Sequence, residues 1–280
     1  MRPFRIASSN PAVPASEPEI YDLYAVKYAT HGRTQAANFV DPPDPHEAMP
    51  IDYFIWAAVS KARTFVIDMG FTEKTAVDRA RTFIRCPAEA LGLVGVDAKG
   101  AQDVIVTHFH CDHIGNFDKF SQADFHLQDR EMAFATGRNM LNPEYGASMN
   151  VDDVVGMVRH LYGQRVRFHD GDAELAPGFS VHHIGGHTDG LQCVRVMTKR
   201  GWVVVASDAC HLYANMETRN AFPIIFDLDM VLAGYDRLRE LAESPDHIVP
   251  GHAPLVLDRY PAVSEELQGI AVCLDVGPVS

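Results

Sequence analysis

The residues best equipped for chemistry in this chain crowd into one segment, His108-Phe109-His110-Cys111-Asp112-His113. At this composition the pattern H-x-H-x-D-H arises by chance in roughly 0.003 of chains, so it is read as a site. His108 and His110, two apart at the end of an apolar strand, point to the same side. The turn that follows swings Asp112 and His113 toward a neighbouring position. One segment therefore offers two donor sets, His108 with His110 and Asp112 with His113. Imidazoles and carboxylates in this mix suit zinc best, and iron, manganese and cobalt accept them too. Three further candidates end apolar strands, where a scaffold commonly holds site residues on loops. They are His187 after Gly185-Gly186, Asp208 after 202–207, and His252 after Pro250-Gly251.

The elements that must position these residues are legible in part. Segments 53–59 and 64–68 read as a strand pair turned by 60–63, being short, aromatic and β-branched. Segment 72–85 predicts a helix capped by Thr72, with Val77, Ala80 and Ile84 on its buried face. A short buried strand, 103–107, runs directly into His108, and a helix start follows at 114–116. Next come a strand at 123–127 and a helix over 129–136. Strands at 179–184, 192–198 and 202–207 precede a helix over 229–242, whose inner face is Val231, Tyr235, Leu238 and Ala242. A last strand, 247–249, leads into 250–252. Two β-rich halves with intervening helices predict two facing sheets with helices outside, an α+β arrangement.

The chain has 280 residues, 47% hydrophobic and 22% charged, which suits one large domain or two small ones. A formal charge of −13 with no basic run argues against a nucleic-acid partner. No apolar run approaches the ~20 residues of a membrane helix, so no membrane is expected. Residues 1–19 are Pro/Ser-rich without the apolar stretch of a secretory leader. They read as an arm, loose or packed on a partner subunit in a homodimer, ahead of a single domain over 20–280. Five scattered cysteines without CxxC fit reduced thiols, and the expected location is cytoplasmic.

The segments HFHCDH, GGHTDG, ASDA and VPGH, in this order, resemble the metallo-β-lactamase superfamily over about residues 20–262. The resemblance implies an αββα sandwich with metals at one sheet edge. Position by position it implies His108, His110 and His187 on a first metal and Asp112, His113 and His252 on a second, with Asp208 bridging two Zn2+. Within the superfamily the chain is most similar to the N-acyl homoserine lactonases and related small-lactone hydrolases. MPIDYFIW, FVIDMG and HLQDRE carry that likeness. It departs from them at His211, where those enzymes have a tyrosine, with Tyr213 two places later. It departs again at Leu191, where their HTPGH motif has its second histidine.

These residues imply a mechanism. Two divalent cations favour a bridging hydroxide, since one zinc already lowers the pKa of water from ~15.7 to ~7. Such a hydroxide would attack a lactone carbonyl, and Asp112, as the resemblance implies, would shuttle the proton to the leaving oxygen. His211 or Tyr213, close behind Asp208, would hydrogen-bond the developing oxyanion. The expected partner is thus a small-molecule lactone; thioester or phosphodiester hydrolysis at the same site is the alternative. His126, His182, His183 and His247 read as structural, and Cys111 as pointing into the core. Met132, Met140, Met149 and Met157 read either as helix packing or as a soft apolar wall over the metals.

Overall fold

The computed structural model describes residues 17–279, so most of the arm expected over 1–19 lies outside the described residues. Among the described residues thirteen strands form two sheets. In chain order they are β1 Asp22–His31, β2 Ile51–Val59, β3 Thr64–Ile67, β4 Thr82–Phe83, β5 Asp103–Ile105, β6 Asp124–Gln128, β7 Val166–His169, β8 Ala173–Ala176, β9 Phe179–His183, β10 Gln192–Thr198, β11 Gly201–Ser207, β12 Ile248–Pro250 and β13 Ala271–Cys273. The larger sheet has the order β13-β1-β2-β3-β5-β6-β7, with β4 on the side of β1, and the smaller is β12-β11-β10-β9-β8.

The sheets face one another across an aromatic core. Phe65 of β3 and Phe179 of β9 stack across the interface at 3.8 Å and 9°, and Tyr21 tilts against both. β2 does not alternate, because Ile51 to Ala58 are buried throughout; helical layers cover the face turned away from the second sheet. Behind the larger sheet, helix α1 (Asp129–Thr136) contributes Met132 and Phe134. Helix α2 (Val151–Tyr162) adds Val154 and Met157 there. Behind the smaller sheet lies helix α3 (Leu228–Leu241), capped by Asp227 and burying Val231, Tyr235 and Leu238. The αββα layering expected from the resemblance is what the chain adopts, and no helix among the described residues is long and apolar enough to cross a membrane.

Strand direction explains how distant segments reach one edge. β3, β5, β6 and β7 are mutually parallel. β9 and β11 are each antiparallel to β10, and β12 is parallel to β11, so these three also share a direction. The residues that follow β3, β5, β9, β11 and β12 include Asp68, His108, His187, Asp208 and His252. One edge of the sandwich collects them all.

The helix expected over 72–85 is cut short. Thr72 caps it by accepting from the Thr75 N–H, but the helix spans only Glu73–Asp78. Ala80 takes a left-handed φ of 53°, and Thr82–Phe83 then pairs with Thr30 and Ala29 of β1. Val77 and Ile84, expected inside, are exposed. The open side of β1 captures the β-branched and aromatic residues that local periodicity assigns to a helix. That early exit also sends Arg81 inward. The helical start expected at 114–116 comes earlier, with Cys111–Ile114 forming the turn itself. The four methionines settle as packing: Met132, Met149 and Met157 are buried behind the larger sheet, and Met140 packs on the same cluster.

Candidate metal centre

Two groups of side chains converge at the shared edge. His108, His110, His187 and Asp208 bring one ligand atom each within 4.8 Å of one another, and Asp112, His113 and His252 do the same beside them. Asp208 stands between, with one oxygen turned toward each. Its Oδ2 lies 3.7 Å from His108 Nε2 and 3.2 Å from His187 Nε2; its Oδ1 lies 3.3 Å from His113 Nε2 and 3.0 Å from His252 Nε2.

The rings are fixed from behind, which aims their other nitrogens inward. His187 Nδ1–H donates to the carbonyl of Ile224 at 2.7 Å, and His252 Nδ1–H to that of Asp52 at 2.9 Å. His113 Nδ1–H donates to Asp68 Oδ2 at 2.7 Å. Such outer bonds set the tautomer of a ligating histidine and raise its basicity. Asp68 is fully buried, at a φ of 63°, and also accepts from Thr107 N–H at 2.8 Å and Thr107 Oγ1–H at 2.9 Å.

Buried nitrogens and oxygens that bond nothing are costly. Here His108 Nε2, His113 Nε2 and Asp208 Oδ1 are buried without a hydrogen-bond partner, and His110 Nδ1 faces His187 Nε2 at 2.8 Å. Inward-facing imidazole nitrogens around two carboxylates fit divalent cations, and burial pushes the pKa of His108 and of His110 well below the ordinary histidine value, keeping them in the neutral ligating form. For Asp112 burial works the other way, yet the Arg81 guanidinium and the imidazoles of His113 and His252 hold its carboxyl below the usual range.

A buried carboxylate ties the two loops of the first group together. Glu131 of α1 accepts Phe109 N–H at 2.7 Å, Thr188 Oγ1–H at 2.7 Å and Gly190 N–H at 3.1 Å, bridging the segments of His108/His110 and His187. Gly190 is required by this approach, because a Cβ there would sit 2.0 Å from the Glu131 nitrogen. Gly186, at a φ of 88°, likewise lets the His187 loop press on the start of α3, where its Cβ would meet the Val231 nitrogen at 2.5 Å. Burial pushes the Glu131 carboxyl up from 4.5 to about 7 against the pull of its three donors. The folded chain therefore binds this proton more tightly than the unfolded chain. In metal-free protein its share of stability is full below about pH 4.5 and is lost as pH rises through about 7, on the order of 3 kcal/mol. Denaturant titrations across that window should show the decline in wild type and a flatter profile in Glu131→Gln; equal slopes would refute it.

Of the other expected site residues, His211 joins the cluster. Its Nε2 lies 3.0 Å from Asp208 Oδ2, and its ring stacks on Phe222 at 3.8 Å and 3°. Tyr213, expected beside it, does not join the cluster and does not line the cavity over Asp208. It opens the helix Tyr213–Glu217, whose first turn rotates it into the inter-sheet core, and Arg259 covers its ring at 4.6 Å. Cys111 is buried, its sulfur 3.7 Å from Arg81 Nη1, and burial pushes its thiol up to about 11. His126 pairs with Asp103, His182 with Asp172, and His183 and His247 bond backbone carbonyls, all outside the two groups.

Sequence reasoning missed Asp68, Glu131, Arg33, Arg81 and Phe222. The first two lie in FVIDMG and HLQDRE, segments marked by resemblance but given no role. The two arginines, with Tyr53 and Phe222, line a narrow cavity of about 30 Å3 over Asp112, Asp208, His211 and His252. It adjoins a groove of about 380 Å3 lined by His110, Phe134, Tyr145, His187, Ile224 and Ile225; the two share His110, Ser148 and Ile224.

Residues 52–252 match the metallo-beta-lactamase superfamily. An N-acyl homoserine lactonase of a Bacillus species is 27% identical over 157 residues, which are 56% of this chain and 57% of that protein. Another from Bacillus thuringiensis is 26% identical over the same span. The match thus covers little more than half the length of these relatives. Among solved structures, a quorum-quenching N-acyl homoserine lactone lactonase superimposes with a TM-score of 0.71 at 19% identity, over 85% of this chain and 94% of that one. The dizinc quorum-quenching lactonase AidC does so at 0.67 and 15%, over 85% and 90%. These distant likenesses concern the fold.

Proposed function

From the premise that the chain belongs to the metallo-beta-lactamase superfamily, we propose that it is a dinuclear-metal hydrolase that opens a lactone ring. The observation that carries this reading is the division of Asp208, one oxygen toward each donor group. His108, His110 and His187 would hold one cation and Asp112, His113 and His252 the other, with Asp208 shared between them. When bound, such cations, zinc best suiting this set, polarise a carbonyl and make water nucleophilic near neutral pH.

The chain's own residues supply the rest. Asp112 lines the cavity with its carboxylate kept ionised by Arg81, and this position suits it to take a proton and hand it to the leaving ring oxygen. His211, neutral because burial pushes its pKa down to about 3, donates Nε2–H to Asp208 and orients that carboxylate. With that nitrogen engaged, His211 acts as a positioning residue and not as the oxyanion donor expected from sequence. The groove beyond His110 and His187, walled by Phe134, Tyr145, Ile224 and Ile225, takes the apolar body of the substrate. We also read residues 20–280 as one domain, since β13 returns to pair with β1.

A panel of lactones, thioesters and phosphodiesters presented to the zinc-loaded enzyme tests the reading. Lactones should lead in kcat/KM by about tenfold or more. Exhaustive chelation should abolish turnover and lower Tm, and zinc should restore both. Full activity in protein stripped of metal, or a preference for thioesters or phosphodiesters, would overturn it.

A further inference from the structure

Two arginines line the narrow cavity over Asp112 and Asp208, in a chain whose formal charge is −13. Each guanidinium is laid on an aromatic ring that touches the candidate centre. Arg33 lies over Phe222 at 5.0 Å, and Phe222 stacks on His211; Arg81 lies over Tyr53 at 4.9 Å, and Tyr53 meets the edge of His252 at 5.1 Å. Arg33 is anchored by Nε–H to Asn38 Oδ1 at 2.7 Å and by Nη2–H to the Ala37 carbonyl, leaving Nη1 without a partner among the described residues. Arg81 reaches Asp112 only at 3.6 Å, and its Nε and Nη2 have no partner among them either.

Both guanidiniums are largely withdrawn from water, and Arg33 feels the charge of Arg81 as well as its own burial, which together lower its pKa. The carboxylate near both is Asp112, which also faces His113 and His252. Like charges held together in a partly desolvated wall are costly unless an anion completes them. A planar fork of N–H donors matches a carboxylate in particular.

Building on the reading above, we propose that the arginine pair is an anion subsite, so that the lactone turned over carries a free carboxylate. The carboxylate lies against Arg33 and Arg81, the ring carbonyl is presented to the candidate centre, and any apolar extension runs into the larger groove. A neutral acyl-homoserine lactone would leave Arg33 without a carboxylate partner and Arg81 with Asp112 alone, at 3.6 Å.

Arg33 carries the test, because it contacts no residue of the two donor groups. Calorimetry on zinc-loaded enzyme would compare a cyclopentanone carboxylate, which has no ester bond to cleave, with its primary amide. A charge-assisted pair predicts that the acid binds tighter by about tenfold or more. In Arg33→Gln the ratio should fall to within about twofold of one, while Arg33→Lys, which keeps the charge without the fork, should lie between. Equal binding of acid and amide by wild type, or a ratio that survives Arg33→Gln, would overturn the subsite. Turnover of γ-butyrolactone γ-carboxylate and of its amide separates the two readings. An Arg33-dependent preference in binding without opening of either lactone leaves the subsite standing and removes the lactonase reading. Opening of the amide as fast as the acid, with no dependence on Arg33, does the reverse.

Discussion

Replacing Asp208 with alanine is expected to lower kcat/KM by at least about 1,000-fold, roughly 4 kcal/mol of transition-state stabilisation. The metal content should fall from two equivalents to one or fewer. The reason is its place: Oδ1 stands 3.3 and 3.0 Å from His113 and His252, and Oδ2 stands 3.2 and 3.0 Å from His187 and His211. Among the described residues no other carboxylate pairs with histidines of both donor groups: Asp112 faces only His113 and His252, and Asp68 only His113. Burial disfavours its charge, but the imidazoles of His211, His252 and His113 keep Asp208 ionised, with its pKa well below the ordinary carboxyl value. Asp208→Asn retains the volume and removes the negative charge, and its NH2 must point into one of the two groups. Both variants should therefore fail together in metal analysis and in turnover. An Asp208→Asn protein that keeps two equivalents of metal and works within tenfold of wild type would refute the shared-ligand assignment.

The second large effect concerns a residue outside the two donor groups. Asp68→Ala should destabilise the metal-free protein by about 3–5 kcal/mol, because Thr107 N–H, Thr107 Oγ1–H and His113 Nδ1–H would lose a common buried acceptor. For a chain of this size that is roughly 10 °C in Tm, read by calorimetry. Asp68→Asn separates support of the fold from support of the centre. Asparagine tolerates the left-handed backbone that Asp68 adopts, so its cost is confined to the hydrogen bonds. With the charged partner of His113 gone, zinc affinity by chelator competition should weaken about 10- to 100-fold. Unchanged affinity and a Tm within about 2 °C would show that Asp68 does not hold His113 in a ligating pose.

How far these residues could be read in advance follows from how they are encoded. His108, His110, Asp112 and His113 are chain neighbours, and a short segment after β5 followed by a single helical turn, Cys111–Ile114, suffices to bring them together. His187, Asp208 and His252 each follow a strand of the smaller sheet within a few residues, and that local signal survives because the strands share a direction. Asp68 and Glu131 are different. Their partners lie 39 and 22 residues away or further, and nothing in FVIDMG or HLQDRE specifies which backbone amide each will accept.

The arginines of the cavity lie further still from local reasoning. Arg81 sits in a segment whose apolar spacing reads as helix, and only the pairing of Thr82–Phe83 with β1 turns it toward Asp112. Tyr213 fails in the opposite sense. Two residues after His211 it belongs to the same stretch, yet the first turn of its helix rotates it beneath Arg259 and away from the cavity.

What the amino-acid order determined alone is the set of metal-binding residue types, the strands that end on them and the layered class of fold. These follow from periodicity and from apolar runs, which act over a few residues. What tertiary structure alone decided is which oxygen of Asp208 faces which histidines, what braces the rings from behind, and that two arginines wall a pocket in an acidic protein. Those depend on pairings between segments tens of residues apart, where burial and strand register choose the neighbours and local propensity has no vote.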